Sequence, residues 1–274
     1  MLPGVRRPMC YQSLTGNHWP TTLADRHHKA SEYGPCVCKH ECGSDCLNVQ
    51  TSVECDDEIC GNGPYCGNRQ AQNGESASVV LLEPDKTGGK GWGLSTTNKL
   101  RAEEYLLEYI GEVITADEHA RRTMEHIRTN PNDHSTYAAH LRGNLIIDAR
   151  WKGNMARYIN HSCNPNCELR KREVKGLPCA MIVATRTVGA GEELLMNYNL
   201  STMESSRFLC LCGAPFCRGT MARASRSSSV DVSAGQGTSR IEMRHDGSLE
   251  MLHELNDIPF GSKGHQYKVP FAPE

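Results

Sequence analysis

The sequence predicts a mainly β fold of small sheets, flanked by metal-bound loops. Apolar residues arrive in short runs with β character, each stopped by Gly or Pro, and only one stretch carries a clear helical pattern. The fourteen cysteines of the 274-residue chain are bunched, seven between positions 36 and 66 and three between 210 and 217. That length allows one or two domains with a sizeable core.

Residues 1–35 read as a polar lead-in, and 36–75 as the cysteine-rich module. Ser78-Val79-Val80-Leu81-Leu82-Glu83, ended by Pro84, and Tyr105-Leu106-Leu107-Glu108-Tyr109-Ile110, ended near Gly111, are predicted strands. Thr115-Ala116-Asp117-Glu118 has the form of a capping box, with Thr115 as N-cap and Glu118 reaching back to it. Ala116, Ala120, Met124 and Ile127 then share one face of a helix that stops before Pro131. Residues 137–141 and 145–148 flank Arg142-Gly143-Asn144 as a hairpin, and 167–173 and 179–185 flank a turn at Lys175-Gly176. Arg223 to Arg240 is a Ser-, Gly- and Ala-rich linker, and Ser248 to Leu255 is predicted to form a short helix.

Formal net charge is −2 and the sequence pI about 6.6, so nothing points to a surface that grips nucleic acid by charge alone. Met1-Leu2-Pro3-Gly4-Val5-Arg6-Arg7-Pro8 carries no apolar stretch of the secretory kind, and no run of about 18 apolar residues occurs. The expectation is a chain with no membrane partner, whose thiols in a reducing compartment are metal ligands.

The first cluster reads Cys36-x-Cys38-x3-Cys42-x3-Cys46-x8-Cys55-x4-Cys60-x5-Cys66. Structural zinc takes four thiolates or imidazoles in a tetrahedron. Two ions need eight positions and seven cysteines are present, so either one thiolate bridges, with Cys42 the natural choice, or His40 or an aspartate completes the set. The bland alternative is buried reduced cysteines around one zinc. Between 36 and 72 only Val37, Leu47, Val49, Val53, Ile59 and Tyr65 are sizeable apolar groups, so metal must supply much of the folding free energy there. Cys210, Cys212 and Cys217 supply three further thiolates, and the spacing leaves Cys163, Cys167 and Cys179 open as the fourth.

Arg157-Tyr158-Ile159-Asn160-His161-Ser162-Cys163-Asn164-Pro165-Asn166-Cys167 resembles the signature of the SET-domain lysine methyltransferases. The family's other motifs follow in order: Lys90-Gly91-Trp92-Gly93-Leu94, Glu108 to Ile114, Gly191-Glu192-Glu193-Leu194 with Asn197-Tyr198, and a post-SET zinc loop at Cys210 to Cys217. The seven-cysteine cluster is similar to the AWS module. The combination is typical of the branch that methylates lysine 36 of histone H3. It implies a SET fold of small sheets with a pseudoknot over 76–200, a post-SET loop over 201–221 and a tail over 222–274. It also implies three zinc ions on eleven cysteines, with Cys42 bridging and Cys163 closing the last site.

The resemblance implies S-adenosylmethionine as methyl donor and a nuclear, chromatin-bound enzyme acting on the histone H3 tail or the nucleosome. By it, Lys90, Gly91, Trp92, Ser135, Thr136, Tyr137, Arg157, Asn160, His161 and Leu211 bind the donor, Tyr137 and Met196 line the lysine channel, and Tyr198 is catalytic. Alignment of amine and methyl carbon supplies much of the acceleration. With a pKa near 10.4, about one free lysine in a few thousand is neutral at pH 7, and a dry channel raises that fraction. The family usually has Phe or Tyr and then Asp where this chain has Met196 and Asn197, and bulkier residues at Ser135 and Thr136. Those departures keep two other readings open: a zinc-stabilised module that recognises tails or chromatin partners without turnover, and a methyltransferase for a non-histone lysine. Leu169-Arg170-Lys171-Arg172 reads as a solvated strand, with nuclear import or weak nucleosomal DNA contact as its functional alternatives. The stretch from Leu200 to Leu209 is expected to gate the channel.

Overall fold

The computed structural model describes residues 10–23, 35–131, 133, 135, 137–200, 209–222, 241–243 and 249–251. Two units divide the chain, Met1–Ala224 and Ser225–Glu274. Among the described residues no helix is long and apolar enough to cross a membrane.

The described residues of the first unit form eleven short strands, as the brief apolar runs predict. One sheet holds β1 (Gln12–Ser13), β7 (Leu145–Gly153) and β5 (Gly111–Thr115) in that order, with β6 (Ala138–His140) also on β7. A second runs β4 (Tyr105–Glu108), β10 (Leu177–Ala184), β9 (Cys167–Val174), β11 (Leu195–Met196), β8 (Asn160–His161). A third pairs β2 (Val79–Leu82) with β3 (Gly93–Thr96). The β9–β10 turn puts Lys175 and Gly176 at φ 48° and 77°, the positive values a two-residue hairpin needs. β11 lies parallel between β8 and β9 and so brings the C-terminal motif against Asn160 and His161.

Leu94, Leu106, Val113, Leu145, Ile147, Ile182 and Leu194 are fully buried in one core shared by the sheets, each contributing about 1.5–3 kcal/mol by leaving water. Gly111 is obligatory: a Cβ there would sit 2.6 Å from the Asp148 carbonyl oxygen.

The zinc-type module has one short helix, α1 (Leu47–Gln50), and docks on the far end of β9. Glu54 N–H donates to the Glu173 carbonyl at 2.8 Å, and Glu173 N–H to that of Ser52 at 2.9 Å. Arg172 Nη1 donates to Asn68 Oδ1 at 2.8 Å.

Helix α2 (Ala116–Thr129) begins as expected, the Glu118 N–H donating to Thr115 Oγ1 at 3.3 Å. The reciprocal half of the box does not form, because the Glu118 carboxylate is held by Arg121 and Arg122, each at 2.8 Å. The apolar face of the helix is not its buried one. Ala116, Ala120 and Met124 point to solvent, Met124 being 73% exposed, and His126 is buried instead. Ionic contacts decided the rotation: Arg122 reaches Glu112 at 3.1 Å and Asp148 at 3.3 Å, and His126 Nε2 meets Asp133 at 2.8 Å.

In the second unit, Leu249–Met251 (β13) pairs antiparallel with Ile241–Met243 (β12), so 249–251 of the helix predicted over 248–255 are corrected to a strand, and 248 and 252–255 lie outside the described residues. The apolar–Glu–apolar triplets at both places have the period of two that a hairpin uses, with Asp246-Gly247 between them in the sequence.

Candidate donor cleft and metal centres

One side of the candidate donor site is a glycine-rich turn that leads into β3. After a single 3-10 turn at Pro84–Thr87, Gly88, Gly89 and Gly91 take φ of 66°, 83° and 93°, which only glycine adopts freely. Thr87 Oγ1 ties this loop by donating to Pro84 O or Gly91 O, 2.9 and 2.5 Å away. Glu193 then gathers the motifs: it accepts from Lys90 Nζ at 2.7 Å and Asn160 Nδ2 at 2.9 Å, and the same amide donates to Trp92 O at 3.2 Å. Lys90, Gly91, Trp92 and Asn160 are thereby assembled at one place from positions up to 103 residues apart. No role for Glu193 follows from the sequence. Its motif was visible, but no pattern says which distant side chains a carboxylate will clasp.

The second wall carries Arg157 and Tyr137. Asn154 caps a short turn, its Oδ1 accepting the Ala156 N–H at 3.2 Å, and this turn delivers Arg157 into the interior. Arg157 donates to the carbonyls of Ala149 and Arg150 at 2.9 and 3.1 Å and to Tyr158 Oη at 3.0 Å. Its guanidinium lies 3.9 Å from the centre of the Tyr137 ring. Arg150 Nη2 donates to Ser135 O at 2.7 Å, which fixes the same segment from its other end. Thr136, predicted to bind the donor, lies outside the described residues.

β11 places Tyr198 between the walls. Its backbone N–H donates to His161 Nδ1 at 3.1 Å, so His161 carries its proton on Nε2. Burial, with the positive Arg218 nearby, lowers the His161 pKa to about 4 and keeps the ring neutral. The Tyr198 hydroxyl donates to Ile159 O at 2.8 Å. Burial, then the neighbouring Tyr137, Glu193 and Cys167, pushes its pKa above the ordinary phenol value, so the group stays protonated. A phenol whose hydrogen is committed in this way leaves its oxygen lone pairs free to accept. Met196 is buried, paired with Cys167 and His161 across the strands. Asn197 Oδ1 accepts from Arg218 Nη2 at 3.2 Å, so an uncharged amide meets the guanidinium at the position where Asp was expected.

The cysteines gather into three groups whose sulfur atoms lie within 4.8 Å of one another: Cys36, Cys38, Cys42 and Cys46; Cys36, Cys42, Cys55 and Cys60; and Cys163, Cys210, Cys212 and Cys217. Cys42 is common to the first two, and so is Cys36. Cys66 is buried in the same cluster within reach of Cys42 and Cys60, while His40 is exposed and outside both groups. Of the three candidates for the fourth C-terminal ligand, Cys163 is the one beside Cys210, Cys212 and Cys217. Cys167 instead donates to Leu195 O at 3.1 Å, and Cys179 packs with Met181 and Val183.

The donor chemistry suits zinc. All fourteen cysteines are unpaired thiols, and four soft sulfurs in a compact set are a tetrahedral Zn2+ environment. Burial works against ionisation of Cys212, but the backbone N–H groups of Cys163 and Ala214 and the adjacent thiols outweigh it and bring its pKa down to about 6. Cys60 is brought down in the same way to about 7 by Asn62 N–H and its neighbours. Leu211, between two of the C-terminal thiols, is 55% exposed. The basic run predicted as a solvated strand lies on β9, where Arg170 pairs with Glu103 and Glu168, Lys171 meets His140 at 2.7 Å, and Arg172 holds Asn68. Of the expected gate, 201–208 lie outside the described residues.

Comparison with known proteins finds two family models that match the chain. Residues 91–199 match the family model for the SET domain, and residues 39–73 that for the AWS domain. The chain is 38% identical over 218 residues to "Histone-lysine N-methyltransferase SETD2" of Mus musculus, covering 78% of this chain and 8% of that protein. It is 36% identical over 214 residues to "Histone-lysine N-methyltransferase ASHH1" of Arabidopsis thaliana, covering 76% and 42%. With "Histone-lysine N-methyltransferase, H3 lysine-36 specific" of Coccidioides immitis (strain RS) it shares 38% identity over 193 residues, 69% of this chain and 18% of that one. The chain thus spans less than half the length of these curated relatives. Among solved structures, that of the Chaetomium thermophilum polycomb repressive complex 2 superposes with a TM-score of 0.55 at 29% identity, covering 61% of this chain and 24% of the other. Together the two domain matches take in more than half of the 274 residues, and the chain belongs to the SET-domain proteins in which an AWS module precedes the SET domain.

Proposed function

We propose that this chain is a protein-lysine N-methyltransferase, with lysine 36 of histone H3 in the nucleosome as substrate and chromatin in the nucleus as its place of action. The observation that carries the reading is Tyr198: a half-buried, protonated phenol, fixed by Ile159 O, with Tyr137 and Glu193 as neighbours, one from the Arg157 side and one from the Lys90–Asn160 side. S-adenosylmethionine, when bound, supplies an electrophilic methyl group, and Lys90, Gly91, Trp92, Asn160 and His161 are the residues to hold it, with Leu211 covering its adenine. Tyr198 orients the incoming amine and accepts weak C–H···O contacts from the methyl hydrogens through its free lone pairs. Met196 and Tyr137 exclude water from the lysine side chain, which disfavours the ammonium form and makes the nucleophilic amine available. Zinc on the three thiol groups keeps the two flanking modules folded against the cleft. The modest net charge assigns DNA only a weak supporting contact. The relatives' printed names, including one specific for H3 lysine 36, support the choice of substrate.

The test is radiolabelled methyl transfer to recombinant nucleosomes with mass-spectrometric mapping of the modified lysine, comparing wild type with Tyr198→Phe. Labelling of H3 lysine 36, lost by at least a hundredfold in the variant while donor binding persists, is the expected outcome. An intact, zinc-loaded wild type that incorporates no label rejects the enzyme.

A further inference from the structure

Residues 10–23 are covered by neither domain match, yet the segment is fastened to the sheet that carries the second wall of the cleft. β1 pairs parallel with Lys152 and Gly153. Leu14 N–H donates to Gly153 O at 2.8 Å, and Asn17 Oδ1 accepts the Gly111 N–H at 3.0 Å. Tyr11 precedes this strand by one residue, so its position is set by the same hydrogen bonds. Its ring centre lies 4.6 Å from the guanidinium carbon of Arg157, which also has the Tyr137 ring at 3.9 Å and the Tyr158 ring at 5.0 Å. Tyr11 meets Tyr158 edge-on at 6.0 Å, and its hydroxyl is 3.8 Å from Met155 Sδ.

Arg157 is 4% exposed, and a cation so far from water depends on the groups around it. Three tyrosine rings lie under the guanidinium within the range where attraction to their electron-rich faces counts. Two of those rings come from the SET region; the third belongs to the lead-in. Without it, one flank of the guanidinium opens to solvent, the field on the other rings weakens, and Tyr137 loses part of what fixes its plane.

We infer that Tyr11 is a positioning residue for the methyl-donor pocket, acting through Arg157 on Tyr137. The inference rests on the reading of residues 135–137 and 157–161 as a wall of that pocket. It makes the lead-in part of the working site: a chain that starts at the cysteine module would fold its zinc centres and still bind donor poorly.

The experiment measures S-adenosylmethionine binding by calorimetry on the full zinc-loaded chain, with melting temperature, zinc content and the KM and kcat of methyl transfer alongside. Loss of one cation–π partner predicts a Kd weakened by about five- to thirtyfold in Tyr11→Ala. KM for the donor should rise in parallel, with kcat at saturating donor within about twofold, and Tyr11→Phe, which keeps the ring, should restore wild-type affinity. Tyr11→Leu keeps the apolar volume without the π face and should behave as Tyr11→Ala; it serves where the alanine variant fails to fold. Wild-type affinity in Tyr11→Leu, or loss of zinc and of cooperative melting in both truncations, overturns the inference. A wild type that itself binds no donor instead overturns the functional reading beneath it.

Discussion

Glu108, at the end of β4, faces the junction of the cysteine module and the SET sheets. Asn17 Nδ2 donates to it at 2.6 Å, and Glu54 lies on the module side, fully buried and accepting the N–H groups of Ala71 and Gln72. Burial, and then the Glu54 charge, pushes the Glu108 carboxyl up to about 7. An unfolded chain releases that proton near pH 4.3. Between those values the folded state holds a proton that the unfolded state has lost. Stability therefore falls as pH rises through this window, and levels off above pH 7. At 1.36 kcal/mol per unit, the raised carboxyl pKa costs the fold about 3–4 kcal/mol at pH 8.5 and about 1 kcal/mol at pH 5. Glu108→Gln retains an acceptor for Asn17 and removes the charge. It should raise the melting temperature by about 6–12 °C at pH 8.5, with a much smaller gain at pH 5. The comparison is made by calorimetric melting of variant and wild type in the same zinc-containing buffer at each pH, so the metal's own pH dependence cancels. An equal change at both pH values, or destabilisation at pH 8.5, would refute the reasoning.

Two other substitutions probe the cleft and the module. In Gly93→Ala the new Cβ would lie 2.6 Å from Thr87 Cγ2 and 3.0 Å from Glu193 Oε1, so a loss of about 1–3 kcal/mol in stability should accompany weaker donor binding; unchanged calorimetric affinity would show that Glu193 does not organise the donor wall. Asn68→Ala removes donors to Val53 O and Cys55 Sγ and the acceptor for Arg172. It should cost about 1–3 kcal/mol and speed zinc release to a chromogenic chelator, and an unaltered release rate would separate the module's metal from its docking on β9.

The parts of the fold legible in the sequence are those set by local pattern. Lys175-Gly176 specifies its own hairpin through positive φ, and β4 and β10 announce themselves as apolar runs because strands in a shared core are covered on most of their surface. The cysteine spacings limited what the module could be, since so few apolar groups lie between them. What failed was what depends on distant partners. The face of α2 followed Arg122 and His126 toward Glu112, Asp148 and Asp133, against its own apolar stripe. At 249–251 an apolar period compatible with a helix was captured by a strand partner at 241–243.

The sequence by itself determined the composition of the site: which thiols are available, which glycines let the backbone turn at 88–91, and which phenol follows the final strand. Only the tertiary structure decided the assembly. Cys163 rather than Cys167 or Cys179 stands beside the C-terminal thiols, Glu193 joins Lys90 to Asn160, and Tyr11 reaches Arg157 from 146 residues away. Side-chain chemistry is carried by each residue alone, whereas proximity is a property of the whole set of strand pairings, and no local pattern encodes it.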